Sequence, residues 1–242
     1  MIFSELFRII LWQPLFNLLI LLYLYLPGHD FGIAIIVLTV LIRLILWPWQ
    51  KRAIKSQMVF QKIQPKIKEL QKKYKNDKEK LGKEFLKLTK NYKVNPFAGL
   101  LLTLVQLPIL IALYRVFWRG LDTQSFQFLY PFVQRPETLD STFLGMIDLA
   151  QPNFVLAFLV GLFMFFQQKI YTPQTKITKG SWGMIQAQML YFMPMFMVLI
   201  FLKIPSALAL YVCVSTLFSI FQQRLIKKDL EGYGTRNNQK NR

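Results

Sequence analysis

The sequence predicts an all-α integral membrane protein: a five-transmembrane-helix bundle with an N-terminal helix that lies in the interface or spans, and a cytoplasmic helical hairpin. Three observations carry this. Apolar residues make up 54% of the 242 positions and aromatics 15%, more than one soluble core of this size uses. They gather into stretches, five of which reach or approach the ~20 helical residues that cross a hydrocarbon core. The net charge of +18 is concentrated in a few linkers.

Residues 1–30 form the first element. Glu5, Arg8, Gln13 and Asn17 interrupt the greasy stretch Ile2 to Leu26, which suits an interfacial helix, while the run Leu18 to Leu26 allows it to span. No charged n-region with a small-residue cleavage site marks a signal peptide, and no cysteine marks a lipid-modified N-terminus, so neither is expected. The membrane core is expected over 31–223, with spans at about 31–49, 97–118, 154–171, 185–203 and 205–221.

Linker charge orients the spans. Segment 50–95 holds fourteen lysines and Arg52 against Glu69, Asp77, Glu79 and Glu84, so it is expected in the cytoplasm. Segment 119–151 holds two arginines against four acids and is expected outside. Lys176 and Lys179, and the basic tail 224–242, then fall inside, as does the C-terminus. Within 50–95, Ile54, Met58, Ile63, Ile67 and Leu70 make one apolar stripe, and Leu81, Phe85 and Leu88 another. Lys75-Asn76-Asp77 supplies a turn and an N-cap, which predicts a hairpin whose first helix is kinked or divided at Pro65. The last dozen residues, rich in Asn, Gln, Lys and Arg, are expected to be disordered.

Arg43 is the most informative residue, because a guanidinium inside an apolar span costs about 2.5–3.5 kcal/mol on insertion scales. Two readings stay open: with Thr39 one turn earlier it lines a hydrated concavity, or it snorkels to the cytoplasmic leaflet. Gln106 lies in the second span, and Ser215, Ser219 and Gln222 share one face of the fifth, where interhelical hydrogen bonding is the plainer use. Met184, Met189, Met193, Met195 and Met197 surround the fourth span, as an adaptable apolar face or as core filling. Pro108 and Pro194 place kinks in the second and fourth.

The spans contain no acid to pair with Arg43, unlike a proton or ion pump. The lone Cys213 permits no intramolecular disulfide, and the lone His29 in a Pro-Gly turn makes no metal site. Nucleotide-binding and hydrolase motifs are missing, so no cofactor, metal or enzymatic activity is expected.

Several strings resemble the YidC/Oxa1/Alb3 membrane protein insertase family in order and spacing. They are Leu41-Ile42-Arg43-Leu44-Ile45-Leu46-Trp47-Pro48, Ile63-Gln64-Pro65-Lys66, Val94-Asn95-Pro96, Gln106-Leu107-Pro108-Ile109 with Ala112-Leu113-Tyr114, Phe192-Met193-Pro194, and Ile204-Pro205-Ser206 with Leu210-Tyr211. The resemblance implies a hydrophilic groove, open to cytoplasm and lipid, lined by Arg43, Thr39, Gln106, Ser215 and Ser219. It implies an apolar slide at Leu107, Pro108, Met189, Met193, Pro194 and Met197, and hairpin contacts at Lys66, Lys72, Lys73 and Lys80. It also implies that Gln13-Pro14-Leu15-Phe16 heads an interfacial helix, and that the large extracytoplasmic domain of many Gram-negative members is absent. Three positions depart from the family pattern: Val212, Ser215-Thr216, and Leu100 with Leu102.

The expected function is insertion and chaperoning of membrane proteins in a bacterial plasma membrane, alone or beside a Sec translocon. Nascent membrane proteins, ribosomes and lipid are the implied partners, and DNA is not. The alternatives are a small channel or transporter using the same polar face, and a membrane anchor whose basic hairpin recruits ribosomes or acidic proteins.

Overall fold

The computed structural model describes residues 2–95, 97–119, 123–136, 139–171 and 181–240. Its elements are α1 (Ile2–Phe7), a π-helical turn (Arg8–Trp12), α2 (Gln13–Tyr25), α3 (Phe31–Ile45), α4 (Trp47–Lys73), α5 (Lys78–Asn91) and α6 (Ala98–Arg119). A 3-10 turn (Thr123–Phe128), β1 (Thr142–Phe143), β2 (Ile147–Asp148), α7 (Phe154–Tyr171), α8 (Ser181–Phe201) and α9 (Ser206–Lys240) follow. The described residues fall into two compact units. One comprises 2–45, 106–170 and 181–219; the other comprises 46–105, residue 171 and 220–240.

In the first unit, α3 buries Phe31, Ala34, Ile35, Leu38 and Ile42 at helical spacing, and α2 buries Phe16, Leu19, Ile20 and Tyr23. Ala112, Leu113 and Val116 of α6, Ala157 and Val160 of α7, and Ala207 and Tyr211 of α9 are buried too. Lipid tails are as apolar as these side chains, so packing and hydrogen bonds associate such helices. Gly161 of α7 lets α8 come close: a β-carbon there would lie 2.3 Å from Val198 Cγ2 and 3.1 Å from the Pro194 carbonyl oxygen of α8.

The segment between α6 and α7 is tied down by polar contacts. Asn17 Nδ2 donates to the Phe128 carbonyl at 3.0 Å, and its Oδ1 accepts from Tyr130 N at 2.6 Å. Gln13 Nε2 donates to the same carbonyl, and the Tyr23 hydroxyl accepts from Asp140 N. Further along, β1 and β2 pair antiparallel, Thr142 opposite Asp148. This hairpin is a departure from the all-α expectation, which helical periodicity had no means of signalling in a four-residue sheet. It packs on α3, where a β-carbon at Gly32 would meet the Phe143 ring at 2.0 Å. The start of α9 docks beside it: Ser206 N donates to the Gln151 carbonyl and Ser206 Oγ to the Asp148 carbonyl.

In the second unit, α4 and α5 pack through Ile63, Ile67 and Val94, with Val59, Phe60, Phe85 and Leu88 around them. Each fully buried aliphatic side chain here contributes about 1.5–3 kcal/mol by leaving water. Asp77 caps α5, its Oδ1 accepting from Lys80 N at 3.0 Å. Ser56 Oγ accepts from Asn95 N at 2.8 Å, and Asn95 Oδ1 accepts from Phe97 N, fixing the entry into α6.

Three boundaries differ from the sequence expectation. Helix α3 ends at Ile45 rather than near Trp49, because Pro48 brings no N–H and its ring would clash with the Leu44 carbonyl of a continuing helix. At 15 residues α3 is about 22 Å long. Pro65 does not divide α4, whose buried Ile63 and Ile67 hold it on both sides. Lastly, α9 runs to Lys240 where disorder was expected; no proline interrupts it, although Gly232, Gly234, Asn237 and Asn238 are poor helix formers. By length and apolar character, Ser4–Tyr25 and Ser206–Lys228 can each cross a bilayer alone. The other apolar helical runs among the described residues, Phe31–Ile45, Leu104–Trp118, Phe154–Ile170 and Tyr191–Phe201, are shorter.

Candidate functional site

Three helices of the first unit bring polar side chains to one face of α9. Tyr211, Ser215 and Ser219 repeat every four residues along that face and are all buried. Arg43, half-buried in the last turn of α3, donates from Nε to Ser215 Oγ at 2.8 Å, and its Nη2 donates to the same oxygen. Gln106 of α6 donates from Nε2 to the Tyr211 hydroxyl. Ser219 Oγ donates to the Ser215 carbonyl at 3.0 Å, which satisfies it within α9. The seam thus links α3, α6 and α9 in one polar run through apolar surroundings.

Thr39 is fully buried one turn before Arg43, and its hydroxyl donates to the Ile35 carbonyl at 2.6 Å. Gln222 lies in the second unit, as does Gln223; both are fully buried, and their amides have no hydrogen-bond partner among the described residues. Tyr211 is the seam residue that the choice of site residues from sequence passed over. Its four-residue spacing to Ser215 and Ser219 was the signal that could have found it.

The expected slide residues divide by helix. On α6, Leu107 is exposed with Leu104 and Ile111, and Pro108 is half-buried. On α8, Met193 is exposed among Tyr191, Phe192, Met195, Phe196 and Leu199, Met197 is half-buried, and Pro194 is buried against Gly161. The side chains of Met184 and Met189 lie outside the described residues.

The expected hairpin lysines belong to the second unit and differ in surroundings. Lys66 Nζ donates to the Tyr92 hydroxyl at 2.5 Å and sits 5.1 Å from the ring centre, so it braces α4 against the end of α5. That hydrogen bond, more than any charge, raises the Lys66 pKa above its ordinary 10.5. Lys73 lies 5.5 Å over the Tyr74 ring, Lys80 is 3.4 Å from Asp77, and Lys72 is exposed.

The chain as a whole is similar to known proteins. The family model described as 60Kd inner membrane protein matches residues 22–233. A membrane protein insertase YidC of Syntrophus aciditrophicus is 36% identical over 219 residues, 90% of this chain and 36% of that protein. One of Oceanobacillus iheyensis is 36% identical over 209 residues, 84% of this chain and 77% of that protein. The chain therefore spans little more than a third of the first relative and about three quarters of the second. A crystal structure of an active YidC insertase, with its first transmembrane domain resolved, superposes with a TM-score of 0.52 at 27% identity. That superposition covers 82% of this chain and 41% of the other. The match over most of its length to the family model, and to a 36% identical relative of which it spans 77%, shows that the chain belongs to the 60Kd inner membrane protein family.

Proposed function

We propose that the chain inserts hydrophobic segments of other proteins into a bacterial inner membrane and helps them fold there. The observation that carries the reading is the Arg43–Ser215 hydrogen bond within the Gln106–Tyr211–Ser215 seam. It keeps a permanent cation among apolar helices whose own sequences contain no Asp or Glu in the spans. Family membership and the YidC relatives support the same reading.

The work is a lowering of barriers. A client's short polar tail must cross hydrocarbon, where each unpaired peptide group costs several kcal/mol. A hydrated seam reaching part-way shortens that path, with Arg43 attracting acidic residues of the tail. The client's apolar segment then moves along exposed Leu107 of α6 and Met193 of α8 into lipid, gaining about 0.8 kcal/mol for each methylene that leaves water. Pro194, beside Gly161, gives α8 a place to flex. The scheme makes and breaks no covalent bond and consumes no nucleotide.

On this reading the five apolar stretches cross the membrane, and the lysine-rich helices α4 and α5 lie in the cytoplasm with the C-terminus. There they meet ribosomal RNA phosphates or a Sec translocon. Helices α1 and α2 lie flat on the outer surface. Their partners Phe128, Tyr130 and Asp140 are irregular backbone strung along ten helical residues from Gln13 to Tyr23, about 15 Å, and lipid-exposed hydrocarbon does not tolerate such backbone.

The deciding experiment synthesises a short-tailed, single-span client on ribosomes with liposomes that contain or lack the purified protein. Tail protection from protease only when the protein is present supports insertion. Unchanged insertion with ion leakage from the liposomes transfers the seam to a channel.

A further inference from the structure

A cleft of about 720 Å³ lies in the first unit, away from the polar seam. One wall is the N-terminal helix, with Ser4, Glu5, Arg8 and Trp12; the other is the end of α6, with Ile111, Tyr114, Arg115 and Trp118. Ser125 and Phe128 close it. The lining holds two arginines, one on each wall, against the single carboxylate of Glu5, leaving a net positive charge.

Both guanidinium groups are held on aromatic faces. Arg8 sits 5.2 Å over the Phe128 ring, and Arg115 sits 5.1 Å over the Phe7 ring. A guanidinium stacked in this way keeps its N–H donors in the plane, where they match the oxygens of a phosphate. The contact Arg8 makes with Glu5, 3.3 Å between neighbouring turns, is a half-exposed surface pair of little strength. It leaves Arg8 Nε buried with no hydrogen-bond partner among the described residues, and buried donors ordinarily have one. Arg115 is exposed and makes no ion pair among them.

The remaining surroundings are those of a bilayer interface. Trp12 stacks on Phe16 at 5.2 Å and Tyr114 on Trp118 at 5.6 Å, ring types that gather at headgroup depth. Ile111 lines the cleft and is exposed, and with the Trp and Tyr rings it offers apolar surface to acyl chains. A ligand that uses both features carries a phosphate and hydrocarbon chains together. An acidic peptide would use the arginines and leave Ile111 and these rings uncovered.

We propose that the cleft between the N-terminal helix and the end of α6 binds the phosphate headgroup of an anionic glycerophospholipid through Arg8 and Arg115. The bound lipid pins the N-terminal helix to α6 and to the leaflet it touches. The site shares no residue with the polar seam, so it stands whether or not the chain proves to be an insertase.

Native mass spectrometry of the purified full chain in detergent, titrated with dioleoyl phosphatidylglycerol or dioleoyl phosphatidylcholine, tests this. The wild type is expected to retain one phosphatidylglycerol about tenfold more tightly than phosphatidylcholine, and about tenfold more tightly than Arg8→Gln/Arg115→Gln does. Arg115→Gln alone, a change at an exposed side chain, should weaken retention several-fold with helicity unchanged by circular dichroism, and decides the matter if the double variant fails to fold. Millimolar inorganic phosphate should not displace the lipid; displacement would make free phosphate the ligand and overturn the assignment. Equal retention of the two lipids, equal retention by the variants, or capture of a Glu-rich peptide in place of phosphatidylglycerol would each overturn it as well.

Discussion

Arg43 of α3 and Ser215 of α9 are joined by a 2.8 Å hydrogen bond from Nε to Oγ, across 172 positions of sequence. The hydroxyl helps to hold a cation in place among apolar helices, and the two partners are separable by mutation. Arg43→Ala is expected to cut insertion of an acid-tailed client about tenfold, the equivalent of about 1.4 kcal/mol, with Arg43→Lys in between. Ser215→Ala keeps the charge and loses the acceptor, so its cost should be smaller, about 1 kcal/mol in stability. Thermal unfolding in detergent measures the Ser215→Ala cost, and protease protection of clients with acidic and with neutral tails measures the Arg43 variants; equal effects on the two tails would remove Arg43 from tail recognition.

The contact at Gly161 predicts a size-dependent loss of stability. Gly161→Ala puts a methyl group 2.3 Å from Val198 Cγ2 and should cost about 1–3 kcal/mol by overpacking. Val198→Ala should recover part of this, and the Pro194 carbonyl at 3.1 Å should withhold the rest. A thermal-unfolding double-mutant cycle in detergent gives the coupling directly.

Asn17 is buried and makes three hydrogen bonds, to the Gln13 and Phe128 carbonyls and from Tyr130 N. Asn17→Leu leaves the two loop groups without that partner and should cost about 1–3 kcal/mol for each that stays buried. Proteolysis between Thr123 and Asp140 is the sensitive readout. An unchanged cleavage rate would mean that the helix does not hold this segment.

For the α4–α5 pair, the test is pH. Tyr92 holds the Lys66 pKa above its ordinary value of 10.5, so the contact's contribution is full below 10.5 and is lost as pH rises through the higher folded value. Tyr92→Phe should therefore lower thermal stability at pH 9, and the gap to wild type should close as pH rises through the raised Lys66 value. A gap that does not change with pH would show that the hydroxyl serves something other than Lys66.

How far the sequence carried the fold can be read from particular elements. Helices α6 and α7 begin and end within a residue of the apolar stretches that predicted them, and Asp77 caps α5 as its position ahead of the Leu81, Phe85 and Leu88 stripe implied. These are local signals: caps, prolines and repeats of three and four residues act within one or two turns. The four-residue repeat of Ser215 and Ser219 with Tyr211, and of Thr39 with Arg43, was legible for the same reason.

Pairing between helices was not legible. Nothing local tells Gln106 to meet Tyr211, 105 positions away, or sends Asn17 to the backbone at Phe128 and Tyr130. In a bilayer an apolar helix face has nearly the same free energy against lipid as against another helix, so hydrophobic pattern alone chooses no neighbour. The sequence by itself determined where most helices run, which segments are apolar and where charge collects, though not the β1–β2 hairpin or the helical end of α9. Only the tertiary structure decided which polar groups meet, because close fits such as Gly161 on Val198 and a few scarce hydrogen bonds make that choice, and neither exists until the helices are side by side.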